Sequence, residues 1–422
     1  MVNLDNIKVD NIKASLEYLK RTKGFKEDSW LVSPFNYGPA LDLALPPTLT
    51  ICDITLREGE QTPGVKALTK ELKMEVARAL DKAGVPEIQV GIGISRRRIQ
   101  DEIKAVAALG LKSQIVTYAG SLKEVDIAAE CGVDIIEFIT LPTPEMHQVL
   151  GEDLLSTADQ IRRGSRILAH AKAKGLKVKA DINWVGLADL KFIREYFKVM
   201  AQEGADSVQL ADSSGILNIA AIKWLVQEVR RVVGKMSVGL HLHNDFGLAT
   251  GLALAGLEAG VNEIDVTLNG LGERAGNPAL AEVVVGAEVL YGVSTGVKLS
   301  ELTPLAQLCA SLTEFPIPTN KPLVGSRFFS NTVEIEWAVE PVDPFLSNAI
   351  RPAAVGNDRP LFISKHSGRN ALRYKLAALG YVASEPQLDA MLDTLGALLD
   401  TKRFIEDDDI LGECKREGVK KI

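Results

Sequence analysis

The sequence predicts a (β/α)₈ TIM barrel followed by a small mixed and helical C-terminal subdomain, on three observations. From about residue 48 to 292, short apolar strands alternate with amphipathic helical stretches, a pattern that demands parallel strands joined by crossover helices. The alternation runs to eight pairs, the number that closes a barrel. Beyond it, Pro and turn residues break the pattern before helical periodicity returns. An open doubly wound sheet is the competing topology.

Taken in order, residues 1–45 form an N-terminal arm with no strong pattern. The barrel domain, 46–295, holds eight strand runs: TLTICDIT, EIQVGIG, SQIVTYA, DIIEFIT, KVKADIN, SVQLAD, SVGLHLHND and NEIDVTLN. Helical stretches such as TKELKMEVARALDKAG and NIAAIKWLVQEVRRVVG separate them, several ending on a Gly suited to a helix C-cap. Residues 296–360 include EFPIPTNKPLVG and IRPAAVGNDRP, whose prolines forbid long regular elements and predict a linker or lid. Residues 361–422 regain a 3.6-residue period and predict a small helical unit.

The formal net charge of −7 over 422 residues argues against a nucleic-acid or anionic-membrane binder. No apolar run reaches the length of a membrane span, and the N-terminus lacks the apolar core of a signal peptide. The expected setting is therefore the cytoplasm, with no nucleic acid and no membrane as partner. Cys52, Cys131, Cys309 and Cys414 are too scattered for a zinc or redox motif and read as reduced, mostly buried thiols.

Chemistry concentrates where barrel strands end. On the seventh strand His241 and His243 are two positions apart, so they project to one face. Two neutral imidazoles there suit a divalent metal, with a third ligand from another strand end; the alternative is a pair of core histidines bonded to backbone. The first strand ends in Asp53, Arg57, Glu58, Glu60 and Gln61. One of these carboxylates would complete a two-histidine, one-carboxylate site, and the guanidinium would stabilise an oxyanion; the alternative is an ion pair at the barrel rim. After the eighth strand, NGLGERAGNP is glycine-rich as an active-site loop would be. Arg96, Arg97 and Arg98 form a run that either meets phosphate or, more ordinarily, a solvated helix start.

Together DITLREGEQTPG, HLHNDFG, NGLGERAGNP, NKPLVG and KHSGR, spread from Asp53 to Arg369, resemble the metal-dependent acyl-CoA condensing enzymes that include the 2-isopropylmalate and homocitrate synthases. Glu58 in LREGEQ is the more homocitrate-like form, since isopropylmalate synthases usually carry Asp there. The resemblance implies that acetyl-CoA, deprotonated at its methyl group, attacks a 2-oxo acid held on a divalent ion (Zn, Mn or Mg), and that thioester hydrolysis follows. It implies Glu58, His241 and His243 as metal ligands, Asn277 as a fourth, and Arg57 as the catalytic cation. Gln61, Lys179, Asp181 and Ser213 are expected at the substrate.

Lys179 stands where homocitrate synthases place an Arg, so a dicarboxylic acid, 2-oxoglutarate or oxaloacetate, is slightly favoured. Asp181 complicates this by like-charge repulsion. In the segment after the barrel, Glu336 falls where relatives carry a histidine implicated in proton transfer, and is expected to serve as the general base or its helper. The resemblance further implies a homodimer, and the stretch after KHSGR is too short for the regulatory domain of many isopropylmalate synthases. Two other readings are kept: a carbon–carbon cleaving lyase or aldolase, and a non-catalytic metabolite-binding descendant.

Overall fold

Strand and helix alternate because apolar strand runs are followed by turns and amphipathic stretches, several of which start on a capping side chain. A computed structural model describes residues 9–153, 156–402 and 404–422. Its strands β1 (Thr50–Asp53), β2 (Glu87–Gln89), β3 (Gln114–Tyr118), β4 (Ile135–Thr140), β5 (Lys177–Ile182), β6 (Ser207–Asp212), β7 (Ser237–Leu242) and β8 (Glu263–Val266) are all parallel and close into one barrel. β8 pairs with both β7 and β1, so no sheet edge is left open. Each strand lies inside its predicted run. β7 stops at Leu242 rather than Asp245, because Asn244 N–H turns to Gly276 O instead of continuing the ladder.

The intervening helices are α1 (Lys70–Ala83), α2 (Arg97–Ala107), α3 (Leu122–Cys131), α4 (Thr157–Ala173), α5 (Leu190–Gln202), α6 (Ile219–Val233), α7 (Ala249–Glu258) and α8 (Leu280–Val285). Thr69, Ser121, Ser156, Asp189 and Asn218 each accept a backbone N–H in the first turn of the helix that follows, caps worth about 1 kcal/mol apiece. Gly84 and Gly132 close α1 and α3 in the left-handed conformation, which costs glycine nothing.

The barrel interior is polar where such barrels usually stack Val, Ile and Leu. Lys179 on β5 bonds Glu87 on β2 and Glu263 on β8, strands that are not its neighbours, so these contacts cross the interior. One layer higher, Gln89 donates to Glu137 at 2.6 Å and Gln209 to Asp265 at 2.6 Å, again across the barrel. All of these side chains are buried.

The unit that contains the barrel spans Pro39–Ile317, so it runs past residue 295 to include α9 (Leu302–Thr313). Asn269 Nδ2 donates to Ala306 O on that helix at 2.9 Å. A second unit joins the described residues up to Gly38 to Pro318–Ile422. The N-terminal arm is therefore not free-standing: Leu31 N–H bonds Ala349 O and Arg351 N–H bonds Ser29 O, both at 2.8 Å. The predicted segment 296–360 divides between the two units at Pro318. Its α10 (Glu334–Val339) contributes Trp337 to one core with Leu372, Leu376, Leu388, Met391 and Ile410, from α11 (Arg369–Ala378), α12 (Glu385–Leu398) and α13 (Asp407–Arg416). Local pattern did not anticipate the helix Leu302–Thr313 inside 296–360, and what these segments pack against is a long-range property.

Candidate active site

β1 delivers Arg57 and Glu58 into a turn at its C-terminal end, where both are buried. Each face of the guanidinium edge is used: Nε donates to Gln89 at 2.6 Å, Nη2 to Tyr118 Oη at 3.0 Å, and Nη1 to Glu58. Burial works against the Arg57 charge, but Tyr118, Glu58, Glu137 and Asp265 outweigh it and hold the group above its ordinary range. Burial likewise opposes the Glu58 charge; Arg57 first, then His241 and His243, keeps that carboxyl below its usual value. Gln61 donates to Glu58 at 3.0 Å.

β7 brings its histidines to the same place. Their Nε2 atoms lie 3.3 Å apart, and His243 Nε2 is 3.8 Å from Glu58 Oε1. Asp265 accepts from His241 Nδ1 at 2.9 Å, so the His241 lone pair sits on Nε2. Burial, with His241 beside it, pulls His243 down to about 3 and keeps it neutral. Asn277 Nδ2 donates to Leu242 O at 2.8 Å, while its Oδ1 is buried without a partner. Gly272, at φ 145°, makes this possible, since a Cβ there would stand 1.9 Å from that oxygen.

Two imidazole nitrogens, a carboxylate and an orphaned amide oxygen are a donor set that fits a divalent cation. Among the described residues no three His, Cys, Asp or Glu side chains already close around one point, since Glu58 Oε2 is engaged by Arg57 and Gln61.

A cavity of about 440 Å³ opens over this cluster, lined by Arg57, Glu58, Gln61, His241 and His243 and, farther round, by Tyr118, Asn183 and Ser213. Ser213 Oγ accepts from Trp184 N–H at 3.0 Å, which pins a residue held at φ 50°, a strain typical of functional loops. Across the mouth, Arg274 grips Asp245 through Nε at 2.7 Å and Nη2 at 3.1 Å.

Two predicted substrate residues lie elsewhere. Lys179 is on the interior face of β5 below the cavity, held by Glu87 and Glu263; its register position, four residues before Asn183, puts it two layers too deep. Asp181 is one layer below Asn183, fully buried, with neither oxygen hydrogen-bonded by ordinary geometry. Burial, then the nearby Glu137 and Asp265, push its carboxyl well above the usual range. Glu336, half-buried on α10, belongs to the second unit. Arg96, Arg97 and Arg98 are exposed, and Arg98 pairs with Glu102 at 3.0 Å. Glu60 is taken by Lys73 at 2.6 Å.

Sequence reading missed Gln89, Tyr118 and Asp265, which hold Arg57 and His241, and Glu137, which accepts from Gln89. The available signal was strand alternation: Asp265 in NEIDVTLN and Gln89 in EIQVGIG share the inward face of their strands.

Residues 48–309 match the model of the HMGL-like family. The chain belongs to that family. This HMGL-like chain is 36% identical over 90% of its length to a probable 2-isopropylmalate synthase of Ignicoccus hospitalis, covering 93% of that protein. To an (R)-citramalate synthase of Methanocaldococcus jannaschii it is 34% identical, with 86% of this chain and 73% of that one covered. A homocitrate synthase of Methanopyrus kandleri is 34% identical over 89% of this chain and 94% of its own. Among solved structures, a Bacillus subtilis HMG-CoA lyase superposes with TM-score 0.58 at 19% identity over 65% of this chain and 97% of its own, which establishes the shared barrel fold. The HMGL-like chain is an enzyme of the condensing group that holds the isopropylmalate and homocitrate synthases.

Proposed function

We propose that the protein condenses acetyl-CoA with a 2-oxo acid. The acetyl methyl group loses a proton, its carbon adds to the keto carbon, and water cleaves the thioester to give a 2-hydroxy dicarboxylic or tricarboxylic acid and free coenzyme A. The observation that carries this reading is the buried Arg57 beside Glu58 and the facing Nε2 atoms of His241 and His243 at the barrel mouth, in a chain whose relatives are named as synthases.

Glu58, His241, His243 and Asn277 would hold a divalent cation. When bound, it supplies Lewis acidity toward a keto group and an adjacent carboxylate. Arg57 presents a permanent positive charge, fixed by three hydrogen bonds, to the oxygen on which negative charge grows as the carbon–carbon bond forms. Such preorganised charge loses nothing to reorientation during the reaction. Ser213 and Gln61 offer a hydroxyl and an amide at the cavity wall for the substrate carboxylate. Glu336 stands as the proton acceptor on sequence grounds alone, and Glu336→Gln tests it: a general base is worth about 10²–10⁴-fold in kcat, and unimpaired condensation would remove the assignment. A homodimer in the cytosol completes the proposal. No helix among the described residues is long and apolar enough to cross a membrane.

The test is thiol release from acetyl-CoA by metal-replete protein supplied with a panel of 2-oxo acids. Release that depends on a 2-oxo acid is the expected result; none with any acid would overturn the reading.

A further inference from the structure

Resting on the condensing reading, we infer that the 2-oxo acid carries an uncharged side chain, seated against Ile92, Tyr118, Ile139 and Trp184. The cavity is two-sided because the barrel is closed. Arg57, Glu58, His241, His243 and Asn277 come from the ends of β1, β7 and β8. In the ring order β8-β1-β2-β3-β4-β5-β6-β7, the strands diametrically opposite β8 and β1 are β4 and β5. A substrate whose keto and carboxylate groups meet the β1–β7–β8 cluster therefore extends its side chain toward the far wall.

That wall offers no positive charge. Ile92 follows β2, Tyr118 ends β3, Ile139 lies on β4, and Asn183 and Trp184 follow β5; among the described lining residues on this side none is Lys, Arg or His. Of the two guanidinium groups that line the cavity, Arg57 stands on the β1 side with the reacting keto group, held by Glu58, Gln89 and Tyr118, and Arg274 is held by Asp245 and the Ser213 carbonyl. Lys179 is locked between two carboxylates beneath the floor.

The floor itself is acidic. Two residues down the same faces, Glu137 lies under Ile139 and Asp181 under Asn183, both buried. Burial pushes Glu137 and Asp181 to hold protons more tightly than usual, and neither group can supply a positive charge to a carboxylate above it. A second substrate carboxylate would be desolvated above these acids with no cation to meet it, whereas an aliphatic group buries its surface on Ile92, Ile139 and the two rings.

Metal-replete protein with acetyl-CoA separates the classes by thiol release: pyruvate, 2-oxobutanoate and 2-oxoisovalerate against oxaloacetate and 2-oxoglutarate. The best uncharged acid should exceed both dicarboxylates by about 100-fold or more in kcat/KM. A dicarboxylate that equals or beats it overturns the inference and leaves the condensing reading standing. Should none of the five release thiol, the condensing reading fails, and calorimetric affinities for the same acids then decide the side-chain class. Tighter binding of an uncharged acid supports it; tighter binding of a dicarboxylate, or binding of none, overturns it.

Discussion

His241 donates its Nδ1 hydrogen to Asp265 at 2.9 Å, which leaves its Nε2 lone pair facing His243 Nε2 at 3.3 Å. Gln209 holds the same Asp265 oxygen from the other side at 2.6 Å. The carboxylate thus selects the histidine tautomer that can bind a cation. Asp265→Asn presents an amide that can donate toward Nδ1 and favour the wrong tautomer. Its divalent-metal affinity, measured by competition with a chromogenic chelator, should fall about 10–100-fold with thermal stability little changed.

Arg57 makes three directed bonds to Gln89, Tyr118 and Glu58. Lysine supplies a point charge without that fork. In steady-state thiol-release assays Arg57→Lys should lower kcat by about 10²–10³-fold, with a much smaller change in KM for the oxo acid. Equal losses carried wholly in KM would instead make Arg57 a substrate anchor.

Lys179 separates two readings that sequence could not. As a substrate residue, its loss would change acceptor preference. Because it is the single cation between the buried Glu87 and Glu263, Lys179→Met should cost about 3–5 kcal/mol of stability. Burial disfavours the Lys179 charge, and the surrounding Cys52, Glu263, Glu87 and Asp265 more than restore it. Denaturant unfolding should show the loss, while the ranking of oxo acids by kcat/KM stays as in the parent.

Asp53 predicts a pH effect on folding. Its Oδ1 accepts from Thr55 N–H at 3.0 Å, its Oδ2 has no partner, and burial pushes the carboxyl up to about 7. The folded value exceeds the unfolded one, so the folded state keeps a proton the unfolded chain releases. This contribution is complete below about pH 4 and is lost as pH rises through about 7. Asp53→Asn keeps the Oδ1 acceptor and removes the ionisation. Its Tm should match the parent near pH 4 and exceed it at pH 8, by the equivalent of about 2–4 kcal/mol.

The barrel was legible because its signals are local. Short apolar strands between amphipathic helices can be counted in order along the chain, and the count of eight names the architecture. His241 and His243 were legible for a related reason: i, i+2 spacing on a strand fixes a shared face whatever the partners are. Arg57, Glu58 and Gln61 followed from their crowding at one strand end. Gln89, Glu137 and Asp265 were hidden because a single polar residue on a strand carries no mark of what it will meet.

Sequence by itself determined the order of elements and the crowding of Arg57, Glu58, Gln61, His241 and His243 at strand ends. Tertiary structure alone decided depth and partnership. Lys179 meets Glu87 and Glu263, 92 and 84 residues away, because closing the barrel staggers each strand against the next. That stagger, a property of the whole ring, sets which layer a side chain occupies. A cation that family likeness puts at the cavity is thereby buried beneath it.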